Sequence, residues 1–124
     1  MINGRKRILL LEDEISHQRL MHFILSKQYH LDVVENGLDA MNWLKKNERP
    51  DLIIMDWIMP VMDGKNFLNA FKYEETYRSI PVIVLSSYDL IHEELVAISF
   101  EAHSKLSKPV NPTLLKDTIA GIVN

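Results

Sequence analysis

The sequence predicts an α/β domain, a doubly wound five-stranded parallel sheet with helices on both faces, and three observations carry that expectation. Apolar runs recur in which consecutive residues, not alternate ones, are apolar. Leu52 to Met55 is the clearest, and such runs mark strands buried on both faces. Between them lie longer stretches whose apolar residues repeat at helical spacing. The joints are short, with no linker, repeat or low-complexity segment. A chain of 124 residues suffices for one hydrophobic core but not two, so residues 1–124 are expected to form a single domain.

In chain order, Arg7 to Leu11 is the first strand, ended abruptly by Glu12-Asp13-Glu14. A helix follows from Ile15 to Gln28, with Leu20, Met21, Ile24 and Leu25 on its inner face and Ser16 as its cap. Leu31 to Glu35 is the second strand, and Asn36-Gly37 a turn. Leu38 to Asn47 is the second helix, with Leu38, Met41 and Leu44 in register and Ala40 and Trp43 on the same side. The third strand runs from Leu52 to its end at Asp56. After the loop from Pro60 to Gly64, Lys65 to Glu74 presents Phe67, Leu68 and Phe71 on one face. Pro81 to Leu85 is the fourth strand, and His92 to Phe100 the fourth helix through Leu95, Val96 and Ile98. Lys105 to Ser107 leaves room for only a short strand. Asn111-Pro112 supplies a cap and a first-turn proline for the last helix, which runs through Leu114, Leu115, Ile119 and Ile122. These stripes are core faces, so Met21, Met41, Trp43 and Phe67 are packing residues, not a cofactor box.

Composition excludes several function classes. The chain has no cysteine, which removes disulfides, thiolate metal sites and thiol nucleophiles and weakly favours the cytoplasm. Arg5-Lys6-Arg7 precedes only Ile8 to Leu11 before acids interrupt, too short for a signal-peptide core or a membrane span. A net charge of −3 with scattered lysines forms no basic stripe, so direct nucleic-acid binding is not expected.

In a parallel sheet, ligands bind beyond the carboxyl ends of the strands. Glu12 and Asp13 end the first strand, Asp56 the third, Ser86 and Ser87 the fourth, and Lys108 follows the fifth, so all belong to one rim. Taken singly, each has a bland role: a strand-end Asp turns the chain, adjacent acids cap helices, and a lone Lys is solvated. Their joint placement is what needs explaining. Carboxylates converging there repel by about 4 kcal/mol per pair at a surface-like dielectric, so they call for a hard divalent cation with oxygen ligands, Mg²⁺. Beside such an ion, Asp56 is suited to attack phosphorus and form an aspartyl phosphate. Ser86 would donate to one phosphoryl oxygen, and Lys108 would pair with another.

With those residues in place, the chain resembles the receiver domain of two-component response regulators over essentially its whole length. The family's acidic pair matches Glu12 and Asp13, and its phosphoacceptor matches Asp56. Its loop signature reads Asp56-Trp-Ile-Met-Pro-Val-Met-Asp-Gly64, its switch hydroxyl matches Ser86, and its Lys-Pro matches Lys108-Pro109. The resemblance implies a flavodoxin-like strand order of 2-1-3-4-5 and a cis peptide before Pro109. It implies phosphoryl donation by a sensor histidine kinase or phosphotransfer protein, with Mg²⁺ held by Asp13, Asp56 and the backbone carbonyl of Ile58, and Glu12 acting mainly from behind those ligands or through a water. It further implies that phosphorylation draws Ser86 inward and biases a face made by the predicted 92–100 helix, the last strand and the last helix. That face would meet a downstream protein or a fused output domain, and the domain itself would be a monomer or weak homodimer.

The chain departs from that pattern at three positions. Lys105 stands where receivers carry an aromatic switch residue, and since a charge buries at high cost, it is expected to stay exposed and set the charge of the partner-facing surface. Ser87 replaces a small alanine, bringing a second hydroxyl towards the phosphoryl site. Glu101 replaces a common glycine. Ile58, beside the site, can exclude water but not orient it, which predicts slow self-dephosphorylation. Two other classes fit parts of the pattern. One is a phosphorylation-independent binding module of receiver ancestry. The other is a haloacid-dehalogenase-like phosphatase, which would need an acid where Ile58 stands. His17, His22, His30, His92 and His103 show no ligand spacing along one helix and are read as solvated or packed. The segment beyond Asn124 decides between a single-domain regulator and part of a longer protein.

Overall fold

A computed structural model describes residues 2–59, 61–86 and 103–124. The predicted 92–100 helix lies outside these residues, as do Ser87, His92 and Glu101. The described elements are β1 (Lys6–Leu11), α1 (Ile15–Leu25), β2 (Tyr29–Val34), α2 (Gly37–Lys46), β3 (Leu52–Asp56), α3 (Gly64–Tyr73), β4 (Val82–Ser86), β5 (Ser104–Ser107) and α4 (Pro112–Val123). All strand pairs are parallel, and the five strands run in the order β2-β1-β3-β4-β5.

Strand periodicity divides the core into two layers. Leu9, Leu11, Ile53, Met55, Val82 and Val84 pack on one side with Ala40 and Leu44 of α2 and Phe67, Leu68 and Phe71 of α3. Ile8, Leu10, Leu52, Ile54, Ile83 and Leu85 pack on the other with Met21, Ile24 and Leu25 of α1 and Leu115 and Ile119 of α4. Every residue of β3 and β4 is buried, which is why these segments read as continuous apolar runs. Each such aliphatic side chain contributes about 1.5–3 kcal/mol relative to exposure.

Local expectations are corrected where polar groups decide the chain's path. The N-cap of α1 is Glu14, not Ser16, which lies within the first turn and whose hydroxyl donates to Glu14 Oε1 at 3.3 Å. The helix also stops at Leu25, three residues before the predicted end, because the chain must re-enter the sheet at Tyr29. Leu20, Leu38 and Leu114, assigned to inner faces, are exposed, since each flanks the stripe of its helix. Asn36-Gly37 is not a turn but the start of α2: Asn36 Oδ1 accepts from the Asp39 amide at 2.8 Å. Gly37 is required there because a Cβ would lie 2.9 Å from both Cγ and the carbonyl oxygen of Met62. Among the described residues, no helix is long and apolar enough to cross a membrane.

The β3–α3 loop stores strain. Val61 has φ 66°, a left-handed conformation unfavourable for a β-branched residue, while its side chain is exposed. Val61→Gly is therefore expected to stabilise the protein by about 1 kcal/mol. A raised urea midpoint at unchanged m-value is the predicted observation, and a lowered midpoint would show that the valine contributes more than its strain costs.

Candidate functional site

Backbone hydrogen bonds that extend the sheet ladder past the strand ends fix the rim. The Glu12 amide donates to Val34 O at 2.9 Å, Trp57 to Leu85 O at 3.0 Å, and Lys108 to Ser86 O at 2.8 Å. The β3–α3 loop folds back on Asp56's neighbour, with the Gly64 amide donating to Trp57 O at 2.8 Å. A Cβ on Gly64 would meet that same oxygen at 2.7 Å, so only glycine allows α3 to start so close to the site. Asp63 caps α3, its Oδ1 accepting from the Asn66 amide at 3.0 Å. Trp57 is buried in the α2–α3 layer, anchoring the loop rather than lining it.

Asp56 is 2% exposed and Glu12 1%. Lys108 Nζ lies 2.8 Å from Asp56 Oδ1, an ion pair, and among the described residues that oxygen receives no well-directed hydrogen bond. Glu12 Oε1 bonds Nδ1 of His17, and its Oε2 accepts from the Glu14 amide at 3.3 Å. The Glu12 carbonyl accepts from Gln18 Nε2 at 2.7 Å, holding the first turn of α1 against the end of β1. Ligand atoms of Glu12, His17 and Asp56 all lie within 4.8 Å of one another. A cleft of about 330 Å³, lined by His17, Leu20, Lys108 and Pro109 among others, opens beside them.

Two neighbouring buried carboxylates cannot both ionise freely. Burial, reinforced by the Glu12 carboxylate, pushes Asp56 up to about 7, against the pull of Lys108. Glu12 is buried too, but its bonds to His17 and the Glu14 amide outweigh desolvation and hold it at about 2. The Glu12 bond raises His17 above its ordinary value, opposed by partial burial.

The structure thus brings together Glu12, Asp56 and Lys108 of the expected residues. Ser86 is 3% exposed at the end of β4, with no hydrogen-bond partner for its hydroxyl among the described residues. Asp13 is exposed and outside the carboxylate and histidine cluster, and Ile58 is 73% exposed on the rim loop. Lys105 is exposed on β5. The Lys108-Pro109 peptide is cis, as the resemblance implied. Sequence reasoning missed His17: ligand spacing was sought along a helix, whereas His17 meets Glu12 across the joint between β1 and α1. The available signal was an acid ending a strand and a histidine in the next helix's first turn.

A family model for the response regulator receiver domain matches residues 8–120. The chain belongs to that family. It is 27% identical over 119 residues to a chemotaxis protein CheY homolog of Campylobacter jejuni, covering 94% of this chain and 92% of that one. The receiver domain of a signal transduction histidine kinase from Syntrophus aciditrophicus is 31% identical with a TM-score of 0.86, covering 95% of this chain and 89% of the other. The receiver domain of a sensor histidine kinase from Pseudomonas aeruginosa is 25% identical with a TM-score of 0.86, covering 97% and 98%. That receiver was solved with a magnesium ion coordinated in its active-site cleft. The cluster around Asp56 in the present chain resembles a phosphorylation and metal site and suits receiver chemistry.

Proposed function

We propose that residues 1–124 are one receiver domain that accepts a phosphoryl group on Asp56 from a histidine kinase or phosphotransfer protein, with Mg²⁺, and thereby alters a protein-docking surface. The observation that carries this is a buried Asp56 carboxylate at the carboxyl rim, 2.8 Å from Lys108 Nζ and within 4.8 Å of Glu12 and His17 ligand atoms, in a chain of the receiver family. Glu12 and Asp56 offer hard oxygen donors close together and buried, so the residues fit a divalent cation. Asp13, exposed next to Glu12, and the Ile58 carbonyl are the further donors. When bound, the ion neutralises charge on the incoming phosphoryl oxygens.

In the transfer, an Asp56 oxygen forms a bond to phosphorus as the donor's P–N bond breaks, and the donor imidazole leaves with that electron pair. Lys108 pairs with a phosphoryl oxygen instead of the carboxylate alone, and the Ser86 hydroxyl, without a partner among the described residues, donates to another. The exchange of partners at Ser86 and Lys108 is the local event that biases the surface containing β5 and α4, where Lys105 contributes positive charge.

Incubation with acetyl phosphate and Mg²⁺, followed by intact mass, tests the assignment. One base-labile phosphate on Asp56 is expected. Continuous phosphate release would instead indicate a phosphatase, and no adduct a phosphorylation-independent binding module. A related prediction concerns the lifetime of the adduct. Ile58 is apolar and exposed beside the site, so it offers attacking water no hydrogen bond. Ile58→Asn should shorten the phosphate half-life several-fold in a pulse-chase measurement, and an equal or longer half-life would count against this role.

A further inference from the structure

We infer that His17 is a nitrogen ligand, and that it makes this a mixed imidazole–carboxylate site which favours borderline first-row divalent cations over Mg²⁺. The inference rests on the metal-dependent site proposed above and specifies which ions that site selects. Its basis is the convergence of one imidazole nitrogen and two carboxylates, Glu12 and Asp56, with ligand atoms all within 4.8 Å of one another. A second feature points to a cation: Asp56 is 2% exposed and Glu12 1%, and two carboxylates buried side by side call for positive charge beyond the Lys108 ammonium 2.8 Å from Asp56 Oδ1.

The donor set decides the ion. Mg²⁺ prefers oxygen ligands and retained water, so an imidazole adds little to its binding. Imidazole suits zinc, iron, nickel and copper, and affinities at a mixed nitrogen and oxygen site rise along the first transition row. His17 is positioned for that role by its place in the first turn of α1, which Gln18 ties back to the Glu12 carbonyl at 2.7 Å. The imidazole also lines the cleft of about 330 Å³, which supplies a path for the ion. A transition ion would therefore compete with Mg²⁺ for the same pocket, and receptivity to phosphoryl groups would depend on which ion is bound.

Two measurements test this on the full chain. Electron spin-echo modulation of the Mn²⁺-loaded wild-type protein should show coupling to an imidazole ¹⁴N, lost in His17→Gln. In calorimetric titrations, His17→Gln should weaken Zn²⁺ binding by about tenfold or more while changing Mg²⁺ affinity less than about threefold. Absence of ¹⁴N coupling in the wild type, which requires no variant to fold, overturns the inference, as does an equal loss of both ions. Intact mass with acetyl phosphate and Mg²⁺ on the same protein separates the two claims. Phosphorylation of Asp56 without ¹⁴N coupling removes the nitrogen ligand and keeps the receiver assignment. Coupling without phosphorylation supports the nitrogen ligand and removes that assignment.

Discussion

Asp56→Asn is expected to abolish phosphoryl uptake while leaving the protein folded, and to remove most of the pH dependence of its stability in the absence of divalent ions. The first effect follows because an amide oxygen is a poor nucleophile and presents no negative charge to a cation. The second follows from linkage. The Asp56 carboxyl is raised from 3.8 to about 7 by burial and by Glu12. Between those values the folded state holds a proton that the unfolded state has released, so this group's contribution is fully present below 3.8 and is lost as pH rises through 7. Between pH 5 and pH 8 that amounts to roughly 2–3 kcal/mol. His17, raised above its ordinary 6.5 by the Glu12 bond, acts in the same direction. Glu12, lowered to about 2, contributes stability above 4.5 that is lost only as pH falls through 2, so it is constant over this range. Urea unfolding in EDTA at pH 5 and pH 8 should show the wild type weaker at pH 8, and Asp56→Asn with a much smaller difference, the part that His17 retains. Equal slopes in the two proteins would mean that Asp56 is not the titrating group.

The fold was legible because its core segments carry one unambiguous signal each. β3 and β4 are buried on both faces and so are apolar at every position before their last residues, Asp56 and Ser86, which no amphipathic helix of that length imitates. Helix existence was equally clear from Phe67, Leu68 and Phe71 in α3. Helix edges were not, because Leu20, Leu38 and Leu114 are apolar yet exposed, and periodicity alone assigns them inward. Helix starts turned on single hydrogen bonds. Asn111 was read correctly, its Oδ1 accepting from the Leu114 amide at 3.1 Å, because Pro112 marks the first turn. Asn36 was misread because Gly37 imitates a turn while serving a close approach to Met62.

The rim residues were legible for a topological reason. A parallel sheet collects strand ends at one edge, so residues 12, 56, 86 and 108 could be placed together from strand boundaries alone. What the boundaries cannot give is the direction of each side chain at the rim. Glu12 turns inward and is 1% exposed, while its neighbour Asp13 is exposed, a division of labour invisible in the dipeptide. His17 was missed for the same reason: its approach to Glu12 depends on the angle between β1 and α1, set by core packing rather than by local spacing.

Lys108→Met is expected to slow phosphoryl uptake at pH 7.5 by about tenfold or more, and the pH dependence of the loss separates two roles of the lysine. Nζ lies 2.8 Å from Asp56 Oδ1 and lowers that carboxyl against the opposing effects of burial and Glu12. Without the ammonium, the metal-free carboxyl is pushed further up, and the nucleophilic form becomes scarcer at neutral pH before a cation binds. That part of the loss should shrink at pH 9, where more of the variant's carboxyl is ionised. The remainder reflects missing charge opposite the phosphoryl oxygens during transfer, and alkaline pH cannot restore it. Stability should respond with the same logic. Lys108 is one-third exposed and its attraction for Asp56 is screened, so its removal should cost about 1 kcal/mol at pH 8, with little cost at pH 5, where Asp56 is protonated in the folded state. Acetyl phosphate labelling rates at pH 7.5 and pH 9, read by mass, provide the check. Rates within twofold of wild type at both values would show that Lys108 neither activates Asp56 nor stabilises the transferring group, and its closeness to the carboxylate would then be only a packing contact.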